Sequence, residues 1–304
     1  MSLSFVYPAW LKPGDLVYVV ATSGALRNLE AMEKGLDIWR SRGYNIAFSQ
    51  YYRSKWGYLA GTDEERRQSL AQAWGDPDCR ALLCARGGYG SSRLLENWQW
   101  EKVAPKWVIG FSDVTGILWS LARMGISSVH GPVLTTLASE PPWSQRRLFD
   151  WLEKGQLEPI RGRGWVMGKA TGTLLCANLT VATHLLGTSQ QPHLEGVILA
   201  LEDVSEAPYR LDRMLTQWRM LGILDKLKGI ALGRFSRCEA PADIPSQTVE
   251  EVLRDRLTTL GIPIVADLPF GHEGVNGALP LGITVELDGE EGTLKIISPK
   301  FPTF

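Results

Sequence analysis

A chain of 304 residues with 44% apolar and 21% charged side chains, 31 glycines and 17 prolines has room for two domains, and its make-up excludes disordered and fibrous classes. Lys and Arg number 32 against 33 Asp and Glu, a formal net charge of -1, so no field draws in a nucleic-acid backbone or an anionic membrane. No segment reaches the roughly 20 apolar residues of a membrane span, and the opening MSLSFVYPAWLKPGD has no basic segment ahead of a long apolar run.

The four cysteines, Cys79, Cys84, Cys176 and Cys238, include no C-x-x-C pair, which fits a reducing compartment and a cytoplasmic protein. Twelve tryptophans are scattered along the chain, and rings of that size serve more often as core than as a stacking platform.

In chain order, DLVYVVAT (15–22) reads as a buried strand, and residues 28–43 space Leu29, Met32, Leu36 and Trp39 at helical intervals before Gly43. GTDEERRQSLAQAW places Thr62 and Glu65 in capping-box spacing at a helix start. RALLCA (80–85) and KWVIGF (106–111) are strand-like, and 113–123 puts Ile117, Leu118, Leu121 and Ala122 on one helical face. This alternation predicts a mostly parallel sheet covered by helices, with function at the carboxyl ends of its strands.

The rhythm breaks over 139–164, rich in Pro, Gly and charge, which is read as an inter-domain connection between a first domain, 1–138, and a second, 165–304. The second domain alternates again, with strands at GVILALEDV (196–204), GIALGRF and IPIVADLPF and helices at PYRLDRMLTQWRMLG and QTVEEVLRDRLTTLG. It ends in GITVELDG and GTLKIISP, whose two-residue period predicts an antiparallel pair. The second domain is therefore expected to be mixed α/β with a β-rich core.

Ser112 stands where the strand KWVIGF turns into a helix, with Gly110 two residues before it. A strand-turn-helix corner of this kind presents a nucleophile, although Val114 occupies the place of the second glycine in G-x-S-x-G. The other reading is that Ser112 or Asp113 only caps the helix. A serine nucleophile needs a base, and of the four histidines His272 lies in a glycine-rich loop after a strand, whereas His184 sits in a helical pattern, His193 in a polar loop and His130 at a strand edge. An orienting carboxylate belongs at another strand end, where VILALEDV offers Glu202 and Asp203, with Glu206 close behind. CARGGYGSS (84–92) fails the dinucleotide and P-loop patterns, and its backbone N–H groups suit an oxyanion instead. No spacing of His, Cys and carboxylates resembles a zinc site, so neither metal nor cofactor is expected.

Six stretches, LAGTDEERRQSL, ARGGYGSSRLL, GFSDVT, HGP, LEDVSEAPYRLDRML and LPFGHEGVNGALPLG, occur in order across nearly the whole chain. In this the sequence resembles the L,D-carboxypeptidase family of serine peptidases, which includes the microcin-immunity peptidases. The resemblance implies a flavodoxin-like first domain, a second domain around a β-rich core, and homodimers. It implies a catalytic Ser112, Glu202 and His272 and an oxyanion hole from the backbone of Gly88 and Asp113. It further implies a small peptide substrate, the cell-wall muropeptide tetrapeptide, cut before its terminal D-Ala during cytoplasmic peptidoglycan recycling. The microcin-immunity branch of the family offers the alternative of a peptidyl-nucleotide or acyl-adenylate amide. Arg86, Arg210 and Arg213 are candidate cations for the substrate carboxylate, with surface ion pairing as the competing reading.

Overall fold

A computed structural model describes residues 5–96 and 98–297 of the chain. The last two residues of the expected strand GTLKIISP fall outside them. Five strands, β1 (Leu16–Val20), β2 (Asn45–Phe48), β3 (Cys79–Cys84), β4 (Trp107–Gly110) and β5 (Val129–His130), lie in parallel in the order β2-β1-β3-β4-β5. That is the flavodoxin-like order.

Helices α1 (Leu29–Ser41), α2 (Asp63–Gly75), α3 (Ser91–Leu95), α4 (Thr115–Arg123) and α5 (Leu134–Leu137) flank these strands. Local sequence explains their starts: Asn28 caps α1, and Thr62 with Glu65 forms the full capping box of α2. The inner face of α1 carries Met32, Gly35, Leu36 and Trp39, whereas Leu29, expected on that face, is 45% exposed at the first turn.

The stretch 139–164 is more than a connection. Helix α6 (Pro142–Lys154) occupies its middle, and β6 (Ile160–Arg161) and β7 (Arg163–Val166) close it. Leu148, Phe149, Trp151 and Leu152 form the buried stripe of α6, an apolar spacing that the surrounding Pro, Gly and charge obscure. Trp151 meets Trp10 edge-on at 5.3 Å and Phe149 meets Trp39 at 4.9 Å, so α6 covers the first sheet. Arg42 grips Glu153 with two hydrogen bonds of 2.9 and 2.7 Å.

The second sheet holds eight strands, adding β8 (Lys169–Asn178), β9 (Val197–Val204), β10 (Gly229–Ser236), β11 (Ile264–Ala266), β13 (Thr284–Asp288) and β14 (Thr293–Ile296) in the order β6-β14-β13-β8-β9-β10-β11-β7. Its centre, β8 to β11, is parallel and its flanks are antiparallel, including the expected β13–β14 pair. Helices α7 (Leu179–Leu185), α8 (Pro208–Met220) and α9 (Val249–Leu257) join the parallel strands. Between β11 and β13 the chain crosses back, and the short β12 (Leu279–Pro280) pairs antiparallel with β5, extending the first sheet with a strand from the second half.

Helix α4 makes the reciprocal contact. Trp119 donates its indole N–H to the Cys176 carbonyl at 3.0 Å, and Thr115 Oγ1 accepts from the Asn178 N–H at 3.0 Å. The buried apolar residues of both halves form one continuous cluster that includes Trp39, Trp74, Trp107, Trp119, Trp151 and Trp218. Among the described residues no helix is long and apolar enough to cross a membrane.

Residues 1–138 expressed alone lose α6 and the β12 edge, and residues 165–304 lose the β5 partner and the α4 cover. Calorimetry is expected to show each fragment melting well below the whole chain, with a broader transition. Fragments melting as sharply and as high as the parent would contradict this interlocking.

Candidate active site

Ser112 leaves the end of β4 through Phe111 and adopts φ 63, one of the few non-glycine residues with positive φ. That conformation is strained for a residue with a Cβ and persists only where neighbours hold it. A single 3-10 turn, Ser112–Val114, then runs into α4. A Cβ on Gly110 would stand 2.8 Å from Val114 Cγ1, so the room for the tight corner comes from Gly110 and is filled by Val114.

Neither Ser112 nor Asp113 caps the helix that follows with its side chain. The buried Asp113 carboxylate turns the other way and accepts the Gly90 and Ser91 N–H groups at 3.2 and 2.8 Å, while Ser91 Oγ donates to the Asp113 carbonyl. One residue thereby ties the glycine-rich turn to the serine corner. In that turn Gly87 crowds the nucleophile candidate: a Cβ there would stand 3.1 Å from Ser112 Oγ. Gly88 follows at φ 115, backbone that a side chain would strain. Arg86 donates to the Ala25 carbonyl at 2.8 Å, and burial lowers its pKa, helped by Arg27.

Three of the expected side chains meet in one hydrogen-bonded row. His272 Nε2 lies 3.1 Å from Ser112 Oγ, and His272 Nδ1 lies 2.6 Å from Glu202 Oε2. Glu202 is fully buried, whereas the His272 side chain is 17% exposed. An ionised carboxylate can only accept, so the Nδ1 proton points at Glu202 and Nε2 is left to accept from the serine hydroxyl. The Phe111 ring packs 4.7 Å from the imidazole and limits its rotation.

The neighbouring acids are otherwise engaged. Asp203 accepts from the Thr180 N–H and Oγ1 at 2.8 Å each, from Asn178 Nδ2 at 3.0 Å and from the Val204 N–H at 2.7 Å. Burial pushes its pKa up to about 6 against those hydrogen bonds. Glu206 faces Arg210 at 3.5 Å on the start of α8, where Arg210 and Arg213 both lie over the exposed Tyr209 ring. Arg210 is thus held in a surface cluster. His184 and His193 are exposed, the first beside the Thr180 carbonyl at 2.7 Å and the second 3.9 Å from Glu195.

Several groups at the site were not singled out from sequence. Asn178 ends β8, caps α7 through Val181 N–H, and extends its Nδ2 to Glu202 at 3.3 Å; an asparagine just ahead of LTVATHLL was its one visible signal. Arg234, exposed near the end of β10, has no ion pair among the described residues and stands beside Gly274 of the His272 loop. A cavity of about 570 Å³ opens there, lined by Arg234, Ser236, Asp267 and Glu273 among others.

His130 lies behind this row, fully buried between Phe111 and Phe270 at ring distances of 5.8 and 5.9 Å. Burial pushes its pKa down to about 4, with Glu202 opposing and His272 reinforcing the shift.

Residues 17–131 match the LD-carboxypeptidase N-terminal domain and residues 171–287 the LD-carboxypeptidase C-terminal domain. The murein tetrapeptide carboxypeptidase of Pseudomonas aeruginosa is 32% identical over 299 residues, 92% of this chain and 95% of its own. The chain belongs to the LD-carboxypeptidase family. That membership makes it a peptide hydrolase of the carboxypeptidase type. A Synechocystis protein that bears the name "putative carboxypeptidase" is 61% identical over 97% of this chain and 98% of its own length. The crystal structure of muramoyltetrapeptide carboxypeptidase from Oxalobacter formigenes superimposes with a TM-score of 0.84 at 28% identity, covering 95% of this chain and all of that one. MccF in complex with glutamyl sulfamoyl guanosine gives a TM-score of 0.85 at 20% identity, over 99% of this chain and all of its own, a likeness of fold alone.

The neutral state of His130 has a consequence for stability. The unfolded chain takes up a proton near pH 6.5 and the folded chain only near 4. The unfolded state therefore binds more protons between these values, and this contribution is complete above pH 6.5 and is lost as pH falls toward 4. Asp203, with its raised pKa, works in the opposite sense between its ordinary value and about 6 in parent and variant alike. Urea unfolding is expected to show the parent losing roughly 2 kcal/mol more than His130→Phe between pH 7 and 4.5. Parallel pH curves for the two proteins would contradict it.

Proposed function

We propose that the protein is a serine-type L,D-carboxypeptidase that removes the terminal D-Ala from cell-wall muropeptide tetrapeptides in peptidoglycan recycling. The observation that supports this reading is the unbroken row from buried Glu202 through His272 to Ser112 at a strained corner. His272 Nε2 takes the hydroxyl proton as Ser112 Oγ attacks the carbonyl carbon before D-Ala, and Glu202 stabilises the resulting imidazolium. The carbonyl oxygen becomes an oxyanion that accepts the Gly88 and Asp113 N–H groups. As the C–N bond breaks, His272 returns its proton to the departing D-Ala amine and an ester to Ser112 remains. A water then gives one proton to His272 and its oxygen to the acyl carbon, and as the ester bond breaks His272 passes that proton to Ser112 Oγ, which frees the serine and the tripeptide.

Arg86 and Arg234 are the cations that flank this row, beside the glycine-rich turn and the His272 loop. They suit a peptide carrying carboxylates. Arg210, occupied with Glu206, is the weaker choice.

The second reading, a peptidyl-nucleotide or acyl-adenylate amide, draws on the fold shared with MccF. Mass spectrometry of purified protein incubated with each substrate separates the two. Loss of one alanine from the L,D-tetrapeptide supports the first, and cleavage of the aminoacyl nucleotide alone replaces it with the second. Ser112→Ala is expected to reduce turnover by at least about a thousandfold, and Glu202→Gln by a similar order, with melting temperatures near that of the parent. Activity of Ser112→Ala within about tenfold of the parent would end the nucleophile assignment.

A further inference from the structure

His272 reaches Ser112 from a loop, 271–276, with little stiffness of its own. Gly271, Glu273 and Gly274 all have positive φ, and no strand runs through the segment. Its shape therefore depends on what it is fastened to. Ser236 Oγ donates to the His272 carbonyl at 2.5 Å, which holds one point of the loop to the end of β10. Arg237 Nε pairs with Glu273 Oε1 at 3.0 Å on the exposed side, and further fastenings converge on Asn276, which is 1% exposed. Its Oδ1 accepts the Gly271 N–H at 3.1 Å and closes the loop on itself. Its own N–H donates to Glu140 Oε2 at 2.8 Å, and its carbonyl accepts from Ser144 Oγ at 2.7 Å.

Glu140 and Ser144 stand just before and within α6, the helix that covers the first sheet. The chain beyond Asn276 is joined to the same side. Arg147 Nε donates to the Ala278 carbonyl at 3.0 Å, and the Leu281 N–H donates to the Ser128 carbonyl at 2.8 Å. With Oδ1 committed to Gly271, the amide turns its Nδ2 away. That group is buried beside the ring of the adjacent His130.

We propose that Asn276 is a positioning residue for His272: its side chain closes the loop and its peptide unit fastens the loop to α6, so that it fixes where the imidazole stands relative to Ser112. Glu202 sets the rotation of the ring, and Asn276 sets the place of its backbone. The proposal rests on His272 being the general base. The residue type follows from the contacts. The Gly271 N–H needs an acceptor, and an aspartate there would set a further carboxylate between Glu140 and Glu202.

The test uses the full chain, with active sites counted by a phosphonate that titrates Ser112, so that unfolded protein does not enter the rates. Asn276→Ala is expected to lower kcat about 100-fold with KM within about threefold, the signature of a base displaced by an ångström. The low-field proton resonance of the His272–Glu202 hydrogen bond should broaden or vanish, while the dispersion of the spectrum is kept. Asn276→Asp retains the acceptor and adds negative charge, so the acidic limb of its kcat/KM profile should move to higher pH, because the charge favours the imidazolium. Loss of a merely structural residue would leave that limb where it is.

An Asn276→Ala enzyme with kcat within about twofold of the parent would overturn the proposal, as would an unshifted limb in Asn276→Asp. If the parent shows no turnover that depends on Ser112, the proposed function falls, and the resonance still judges the loop: kept sharp in Asn276→Ala it refutes the positioning role, and lost it supports it.

Discussion

The carboxylate of Glu202 stands at the end of β9 with no exposure to solvent. A carboxylate removed from water in this way costs several kcal/mol unless hydrogen bonds replace its hydration. Two side chains do so: Asn178 from the end of the neighbouring β8 and His272 from the loop after β11. For His272 to arrive, that loop must cross the end of β10 toward the first sheet, and β12 then completes the edge beside β5. On the other side, α4 must lie against β8 for Ser112 to come within reach, which the Trp119 and Thr115 hydrogen bonds achieve. The row that begins at this buried carboxylate thus crosses between the two halves where they interlock. Asp203, buried next to it, takes no part in the row because its oxygens are spent on the start of α7.

Much of this was legible in the chain. Strands bounded by glycine and the helix with its capping box at Thr62 are short-range features, and they appear where local chemistry demands. The Ser112 corner was legible for the same reason, because a strand, a small residue and a helix are contiguous. Helix α6 was hidden because Pro141, Pro142 and a run of charge surround its apolar stripe, and that stripe has meaning only against Trp10, Trp39 and Trp107.

The parts that escaped are those set by contacts between distant residues. Glu202, Asp203 and Glu206 are close in position on the chain; the family resemblance points to Glu202, and the physical reason, burial and partners, is visible only in the fold. Asn178 and Asn276 read as ordinary turn asparagines until their partners, 24 and 136 residues away in sequence, are seen beside them. Arg210 shows the same limit in reverse: it is a plausible cation in sequence, yet it is held by Glu206.

The central claim is that Ser112 is activated across the interface by His272. Exposure to a fluorophosphonate followed by peptide mass mapping tests it without requiring knowledge of the substrate. A single adduct on Ser112 is expected, formed orders of magnitude more slowly in folded His272→Ala than in the parent. No adduct on Ser112, or equal labelling of the two proteins, would contradict it.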